Sequence, residues 1–230
     1  MFTEIDERFN LIKQVFIDND SSTHLITKAY EFAKFMHKDQ RRKDGGLYIS
    51  HPVEVALTLA QLDFDENVVS AALLHDVVED CDCTLETITK EFNKKIAEMV
   101  DCVSAIDKTK FVFDEDDVYV DVNFQKASME EQSFKKLIAI GKKNPLGFAI
   151  KFADRLHNLR TIESFDYNKQ LEKVKETENG SFQLQEQWMR NISSVQFQMS
   201  VSKLNIKLMV KIFYHVIMTI TIQTKNILNI

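Results

Sequence analysis

The chain has 230 residues, of which 44% are hydrophobic, enough for one large domain with a real core. Only 5 glycines and 2 prolines occur, so the composition argues against a turn-rich all-β fold and favours helices joined by short polar loops. The formal net charge of −6 argues against nucleic-acid binding as the main function, because such proteins usually carry a basic excess. Three cysteines in a chain of this size indicate a reducing compartment rather than a disulfide framework.

Targeting signals are not evident in the sequence. Residues 1–7 are acidic and lack the basic segment and apolar core of a secretory signal. The most apolar stretch, residues 208–222, is short for a membrane span and contains Lys211 and His215. We therefore expect a cytoplasmic protein without a membrane segment. We expect residues 208–222 to be buried or to pack on another subunit of a homo-oligomer.

Apolar residues recur at helical spacing through much of the chain before residue 161. Ser22 or Thr23 is placed to cap the first run, and Pro52 stands in a first turn, where proline is well tolerated. A charged loop ending in a Gly-Gly turn signal is predicted at residues 39–46, and an acidic loop at 107–123. The predicted helices cover residues 25–38, 51–62, 65–78, 84–92, 94–106 and 128–140, with a further apolar run at 149–161.

A histidine–aspartate pair, His75-Asp76, interrupts an apolar helical run and is followed one turn later by Glu79-Asp80. Residues four apart share a helix face, so a continuous helix aligns His75 with Glu79 and Asp76 with Asp80. Ionisable groups are unfavourable in an apolar segment unless something pairs with them. A divalent metal pairs well with one imidazole and several carboxylates. The pattern therefore predicts a metal centre with adjacent acid/base groups.

Two further candidate ligands, His51 and Asp154, come from other predicted helices. Two imidazoles and two carboxylates suit Mn²⁺ or Fe²⁺, with Zn²⁺ a further option. Such a metal would lower the pKa of a bound water and hold a phosphoryl oxygen. Glu79 and Asp80 are placed to orient or deprotonate that water.

The motifs resemble those of the RelA/SpoT-type HD-domain hydrolases, including the small stand-alone alarmone hydrolases. The resemblance covers roughly residues 22–178 and implies an all-α HD-type helical bundle with little or no β structure. It leaves residues 1–21 as an N-terminal helix or extension and residues 179–230 as a tail of unknown role. The matching segments are HKDQRRKD at 37–44, YISHP at 48–52, LLHDVVED at 73–80 and KFADRLHNLRT at 151–161.

The resemblance implies a guanosine-3′,5′-bis(diphosphate) 3′-pyrophosphohydrolase of the stringent response. Such an enzyme uses Mn²⁺ to remove the 3′-diphosphate from guanosine tetra- or pentaphosphate, giving GDP or GTP plus pyrophosphate. It implies that Glu79 and Asp80 serve the attacking water. For the substrate, it implies that Arg42 stacks on guanine, that Lys43 lies near the phosphates and that Asn158 contacts the ribose or its 3′ phosphate. Tyr48 and Thr161 are implied to line the pocket, and His51, His75, Asp76 and Asp154 to hold the metal.

Two departures from the family pattern keep alternatives open. Gly46-Leu47 stands where family members usually carry a residue followed by proline, which we expect to loosen the loop holding Arg42. We expect no synthetase domain in this chain. The alternatives are a phosphohydrolase acting on another nucleotide, such as a nicotinamide dinucleotide phosphate, and a regulatory module that binds nucleotide without turnover.

Overall fold

A computed structural model describes residues 2–42, 45–108, 144–164 and 170. The expected all-α fold is confirmed for these residues, where the extended pairing is a single antiparallel bridge between Arg41 and Leu47. The helices are α1 (Phe2–Asp18), α2 (His24–Met36), α3 (Ser50–Gln61), α4 (Glu66–Leu74), α5 (Val77–Asp80), α6 (Leu85–Glu91), α7 (Lys94–Lys108) and α8 (Pro145–Arg160), followed by a 3₁₀ turn (Ile162–Ser164).

Helix α4 lies at the centre of the core. Every residue from 68 to 74 is buried, and the helix packs against α2, α3, α7 and α8. A helix that is apolar all round is typical of such a central position. Helix α3 lies beside it and also contacts α1 and α8. The predicted ligands are therefore carried by the core helices themselves.

Helix α1 covers one side of α3 with an apolar stripe at helical spacing. The ring of Phe9 stacks on that of Tyr30 in α2, with 4.0 Å between the ring centroids. Arg8 binds both carboxylate oxygens of Glu54 on α3, and the second of these bonds measures 2.7 Å. The N-terminal segment is thus packed on the core, while the domain boundaries at residues 21/22 and 178/179 stay predictions. The buried residues of the stripe are Ile5, Phe9, Ile12 and Phe16.

The helix predicted over residues 65–78 is divided in the structure. Asp65 caps α4, since its Oδ1 accepts the N–H groups of Asn67 (2.9 Å) and Val68 (3.0 Å). The helix ends at Leu74, and α5 begins at Val77. In a continuous helix the carbonyl of Ala72 would accept the N–H of residue 76, but it receives Nδ1 of His75 at 2.7 Å. The prediction of one continuous helix was therefore wrong at the His75-Asp76 pair, where a side chain occupies the backbone acceptor.

Helix α8 approaches α7 very closely near its first turn. Asn144 caps α8 by accepting the N–H of Gly147 at 3.0 Å, and Pro145 occupies the first turn. A Cβ at Gly147 would lie 2.8 Å from Sγ of Cys102 on α7. Glycine at this position allows the two helices to pack together.

Several predicted segments lie wholly or mainly outside the described residues. These include most of the acidic loop at 107–123, the helix at 128–140, the tail at 179–230 and the apolar stretch at 208–222. Helix α7 runs two residues beyond its predicted end at Ile106. Within the described part of the chain, none of the helices has the length and apolar character needed to span a membrane.

Gly147→Ala is expected to lower the free energy of unfolding by about 1–3 kcal/mol, the usual effect of overpacking. The reason is the 2.8 Å approach of the added Cβ to Cys102 Sγ. Urea unfolding followed by circular dichroism measures the change. In a Cys102→Ala background the loss should shrink, because the closest atom is absent. A gain of about 1 kcal/mol, as helix propensity alone would give, contradicts the close packing.

Candidate metal centre

Four predicted ligands converge at the junction of α3, α4 and α8. His51 comes from the first turn of α3, His75 and Asp76 from the junction between α4 and α5, and Asp154 from the middle of α8. Potential ligand atoms of His51, His75 and Asp154, all three buried, lie within 4.8 Å of one another. Asp76 joins them, with Oδ2 at 3.6 Å from His51 Nε2 and Oδ1 at 3.1 Å from His75 Nε2. Residues up to 103 positions apart in sequence are thus brought to one point.

The hydrogen bond of His75 sets the direction of its second nitrogen. Nδ1 lies 2.7 Å from the carbonyl of Ala72 and must carry a proton to donate to it. In the neutral ring the lone pair is then on Nε2, which is buried without a hydrogen-bond partner. That lone pair faces the carboxylate of Asp76, an arrangement that is unfavourable unless a cation lies between them. A backbone carbonyl on the far ring nitrogen is also the usual partner of a metal-binding histidine.

Asp154 is held as a carboxylate in this buried place. Burial acts to raise its pKa, but the nearby Lys151 and the imidazoles of His51 and His75 outweigh burial and hold the pKa well below its usual range. Lys151 Nζ lies 3.2 Å from Asp154 Oδ2, and His51 Nε2 lies 3.2 Å from Oδ1. The two imidazoles and two carboxylates fit a divalent cation of borderline hardness.

Tyr48 links a predicted ligand with a predicted catalytic residue. Its hydroxyl oxygen lies 2.8 Å from Asp76 Oδ2 and 2.9 Å from Asp80 Oδ2. Burial and these two carboxylates raise the pKa of the Tyr48 phenol, so it stays protonated and acts as a donor. Sequence reasoning placed Tyr48 in the pocket wall but not between the two carboxylates.

Glu79 and Asp80 occupy the single turn of α5, next to the candidate centre. The carbonyl of Asp76 accepts the N–H groups of Glu79 (3.2 Å) and Asp80 (2.9 Å). The predicted alignment of Asp76 with Asp80 is therefore kept by this turn, although the longer helix is divided at His75. Asp80 is exposed and Glu79 is half-buried. Both carboxylates thus lie within one turn of a candidate ligand.

Arg42 lies in the loop that precedes α3. Its N–H donates to the carbonyl of Gly46, and its own carbonyl accepts the N–H of Gly45, both at 2.9 Å. Gly45 has a φ of +85°, which favours glycine at this turn. Leu47 is buried, so the loop is closed despite the Gly46-Leu47 departure, and the effect of that departure on substrate affinity stays a prediction. Lys43 lies outside the described residues.

His157 lies beside the candidate centre. Burial lowers the pKa of His157 to about 3, and the nearby His51 and Arg42 act in the same direction. The centroids of the His157 and His51 rings are 4.9 Å apart. His157 therefore packs directly against a candidate ligand.

Asn158 and Thr161, which are predicted to contact the substrate, form hydrogen bonds to residues of α8. Asn158 Nδ2 donates to Asp154 Oδ1 at 2.7 Å, so its amide orients a candidate ligand. The hydroxyl of Thr161 donates to the carbonyl of His157 at 3.1 Å, near the end of α8. Substrate contact by either residue stays a prediction. Lys151 was missed altogether, although its spacing of three from Asp154 was the available signal.

Comparison with known proteins assigns this helical fold and its candidate divalent-metal site to a family. The HD domain family matches residues 29–179, and the chain belongs to it.

Two relatives carry names that describe an activity. A protein of Aquifex aeolicus (strain VF5) named guanosine-3′,5′-bis(diphosphate) 3′-pyrophosphohydrolase is 38% identical over 152 residues, which are 66% of this chain and 20% of that protein. The bifunctional (p)ppGpp synthase/hydrolase SpoT of Escherichia coli (strain K12) is 35% identical over 171 residues, which are 74% of this chain and 22% of that protein. The chain thus spans about a fifth of the length of these curated relatives.

A solved structure, described as a metazoan ortholog of SpoT that hydrolyzes ppGpp, aligns with a TM-score of 0.53. The alignment covers 84% of this chain and 96% of that chain, and at 23% identity it shows a shared fold. The resemblance to RelA/SpoT-type HD hydrolases is confirmed by the family match and the relatives.

His75→Ala is expected to weaken Mn²⁺ binding to the metal-free protein by at least about 10–100-fold, the loss that even the removal of a ligand's hydrogen-bond partner typically causes. Isothermal titration calorimetry of the chelator-treated protein measures the affinity. The matched control is His24→Ala, because His24 is exposed on α2 and distant in sequence from the centre. Equal affinities for the two variants would contradict the proposed ligand role of His75.

Proposed function

We propose that this chain is a Mn²⁺-dependent hydrolase that removes the 3′-diphosphate from guanosine tetra- or pentaphosphate. The observation that carries the proposal is the convergence of His51, His75 and Asp154 within 4.8 Å, with Asp76 beside them. The named activities of the two relatives supply the substrate class. Because the match covers only about a fifth of those relatives, the substrate is a proposal for this chain.

The proposed ligand set is His51, His75, Asp76 and Asp154. A divalent cation held there supplies a water of lowered pKa and polarises a phosphoryl oxygen. Mn²⁺ is proposed because mixed imidazole and carboxylate donors suit it, while Fe²⁺ and Zn²⁺ are the competing ions. Lys151 and Asn158 keep the Asp154 carboxylate ionised and oriented, since each lies within 3.2 Å of one of its oxygens.

Asp80 is proposed as the general base and Glu79 as the residue that orients the attacking water. Asp80 is exposed, so it is accessible to water and substrate, and Tyr48 connects it to Asp76. The oxygen of water forms a bond to the inner phosphorus of the 3′-diphosphate, the one attached to O3′. The bond between that phosphorus and O3′ breaks. The water proton passes to the carboxylate, and O3′ takes up a proton from solvent. The products are GDP or GTP and pyrophosphate.

Substrate binding is proposed to depend on the loop at residues 41–47. Arg42 lies in this loop, which leads directly into α3 and the candidate ligand His51. A planar guanidinium can stack on a guanine base as well as pair with phosphate. Lys43, Tyr48, Asn158 and Thr161 complete the proposed substrate set. A cytoplasmic location, a homo-oligomeric state and the absence of nucleic-acid partners are also proposals.

Incubation of the purified chain with Mn²⁺ and guanosine tetraphosphate should release pyrophosphate and GDP, measured by anion-exchange chromatography. The chelator-treated protein and His75→Ala should release little, because water activation depends on the metal. Assays with Fe²⁺ and Zn²⁺ identify the preferred ion. Hydrolysis of a nicotinamide dinucleotide phosphate instead would favour the alternative substrate class. Tight nucleotide binding without products would favour a regulatory module, and either result would refute the proposed reaction.

Asp80→Asn is expected to lower kcat by about 10²–10⁴-fold, the usual contribution of a general base. Its affinity for Mn²⁺ should stay within about threefold of wild type, since Asp80 lies outside the proposed ligand set. Steady-state kinetics and calorimetry give the two values. The control is Asp82→Asn, an exposed aspartate two residues away. An equal kcat for both variants would exclude Asp80 as the base.

A further inference from the structure

His37 is a buried histidine that the proposed mechanism does not use. It caps the C-terminus of α2, with only 1% of its surface exposed. Its Nδ1 lies 2.7 Å from Oε1 of Gln40 and 3.4 Å from Sγ of Cys81. Burial lowers the pKa of His37, so the ring is neutral and Nδ1 donates its proton to the glutamine oxygen. The amide of Gln40 is thereby fixed, with its NH₂ group directed away from the histidine.

The NH₂ group of Gln40 reaches the turn that carries the proposed catalytic carboxylates. Nε2 donates to the backbone carbonyl of Asp80 at 2.6 Å. Asp80 is the last residue of α5, and the last carbonyls of a helix have no partner within it. A helix of four residues is not stable by itself, because one turn does not repay the cost of nucleation. Gln40 therefore supports α5 from a different part of the chain.

The same glutamine also holds the segment that contains Tyr48. The carbonyl of Gln40 accepts the N–H of Tyr48 at 3.1 Å. The Tyr48 ring lies over the ring of His37, with centroids 4.8 Å apart and planes 30° apart. From there the Tyr48 hydroxyl reaches Asp76 and Asp80. We call His37, Gln40 and Tyr48 the positioning cluster.

The loop with Arg42 is closed by this cluster. The loop leaves the core at Gln40 and returns at Tyr48, and the bridge between Arg41 and Leu47 lies between these two residues. One side of the cluster thus holds the loop proposed to bind the base. Its other side holds the turn proposed to deprotonate water.

We propose that His37 and Gln40 are positioning residues that act through Asp80, fixing the catalytic turn α5 relative to the substrate loop. This inference rests on the proposed function. A displacement of about 1 Å at a reacting group can lower a rate by about 10²-fold. The hydrogen bond to the Asp80 carbonyl is suited to prevent such a displacement, since it is the point where the glutamine side chain contacts the end of α5.

Gln40→Met tests the inference, because methionine has a similar length and lacks both the amide oxygen and the amide NH₂. We expect kcat for guanosine tetraphosphate to fall by about 10–100-fold, the lower part of the range for a misplaced reacting group. KM and the Mn²⁺ affinity of the metal-free protein should change by less than about threefold. The bond between Gln40 and Tyr48 is a backbone bond that methionine keeps, and the amide bond that is lost goes to the carbonyl of Asp80. The matched control is Gln14→Met, on the exposed face of α1, where the amide bonds only to Asp18 among the contacts described. A kcat equal to that of the control would overturn the inference.

A double variant separates positioning from a general loss of structure. In an Asp80→Asn background, Gln40→Met should lower kcat by a clearly smaller factor than in the wild-type chain, because the base that it positions is already absent. If the double variant loses kcat by the full product of the factors of the two single variants, action through Asp80 is overturned. If Gln40→Met lowers the melting temperature so far that the protein unfolds in the assay, Tyr48→Phe takes its place. This variant keeps the ring stack and removes the hydroxyl link, and an unchanged kcat would overturn the link.

Amide hydrogen exchange gives a readout that does not depend on activity. Gln40→Met should speed exchange in residues 77–81 and leave α1 and α7 at wild-type rates, since only the support of α5 is removed. Unchanged exchange in residues 77–81 would overturn the inference even if the wild-type chain hydrolyses the nucleotide. Conversely, a wild-type chain that releases no pyrophosphate refutes the proposed function, while faster exchange at α5 still supports the positioning cluster.

Discussion

The arrangement of the core depends on four electron-rich side chains that meet in one buried place. Nε2 of His75 lies 3.1 Å from Oδ1 of Asp76, and His51 lies between Asp76 and Asp154. Groups of this kind are strongly unfavourable together in an apolar interior without a compensating charge. The proposed divalent cation would supply that charge and join α3, α4 and α8 at a single point. We therefore expect the folding of these helices and the binding of the metal to be linked.

One hydrogen bond determines how the centre is built. If Ala72 accepted a backbone N–H, α4 would continue and His75 would be free to adopt other rotamers. Because the imidazole takes that carbonyl at 2.7 Å, the ring is fixed in one orientation and the helix ends. Asp76 can then start a new turn, which carries Glu79 and Asp80. The histidine thus fixes both the direction of a candidate ligand and the place of the proposed catalytic turn.

Sequence patterns were sufficient for the helices and for the grouping of the ligands. Periodicity located α2, α3, α7 and α8 to within a few residues, and the ionisable residues in apolar runs identified His51, His75, Asp76 and Asp154. They were insufficient wherever a side chain competes with the backbone or bridges distant segments. The break at His75 and the contact of Gln40 with the Asp80 carbonyl are of this kind, because neither leaves a periodic signal. Burial raises the pKa of the Cys81 thiol to about 11, which disfavours the thiolate that metals and oxidants require.

The charge of the chain would make the binding of the proposed metal and of the proposed nucleotide mutually dependent. The formal net charge is −6, and four of the acidic residues, Asp76, Glu79, Asp80 and Asp154, lie at or beside the candidate centre. Lys151 compensates Asp154 directly, so its charge is largely used within the site. A polyphosphate approaching the metal-free centre would meet mainly like charge, whereas a bound divalent cation reverses the local potential. Because linkage is reciprocal, the nucleotide should also increase the affinity for the metal. A single cation would therefore serve both the buried candidate ligands and the binding of a polyanion by an acidic protein.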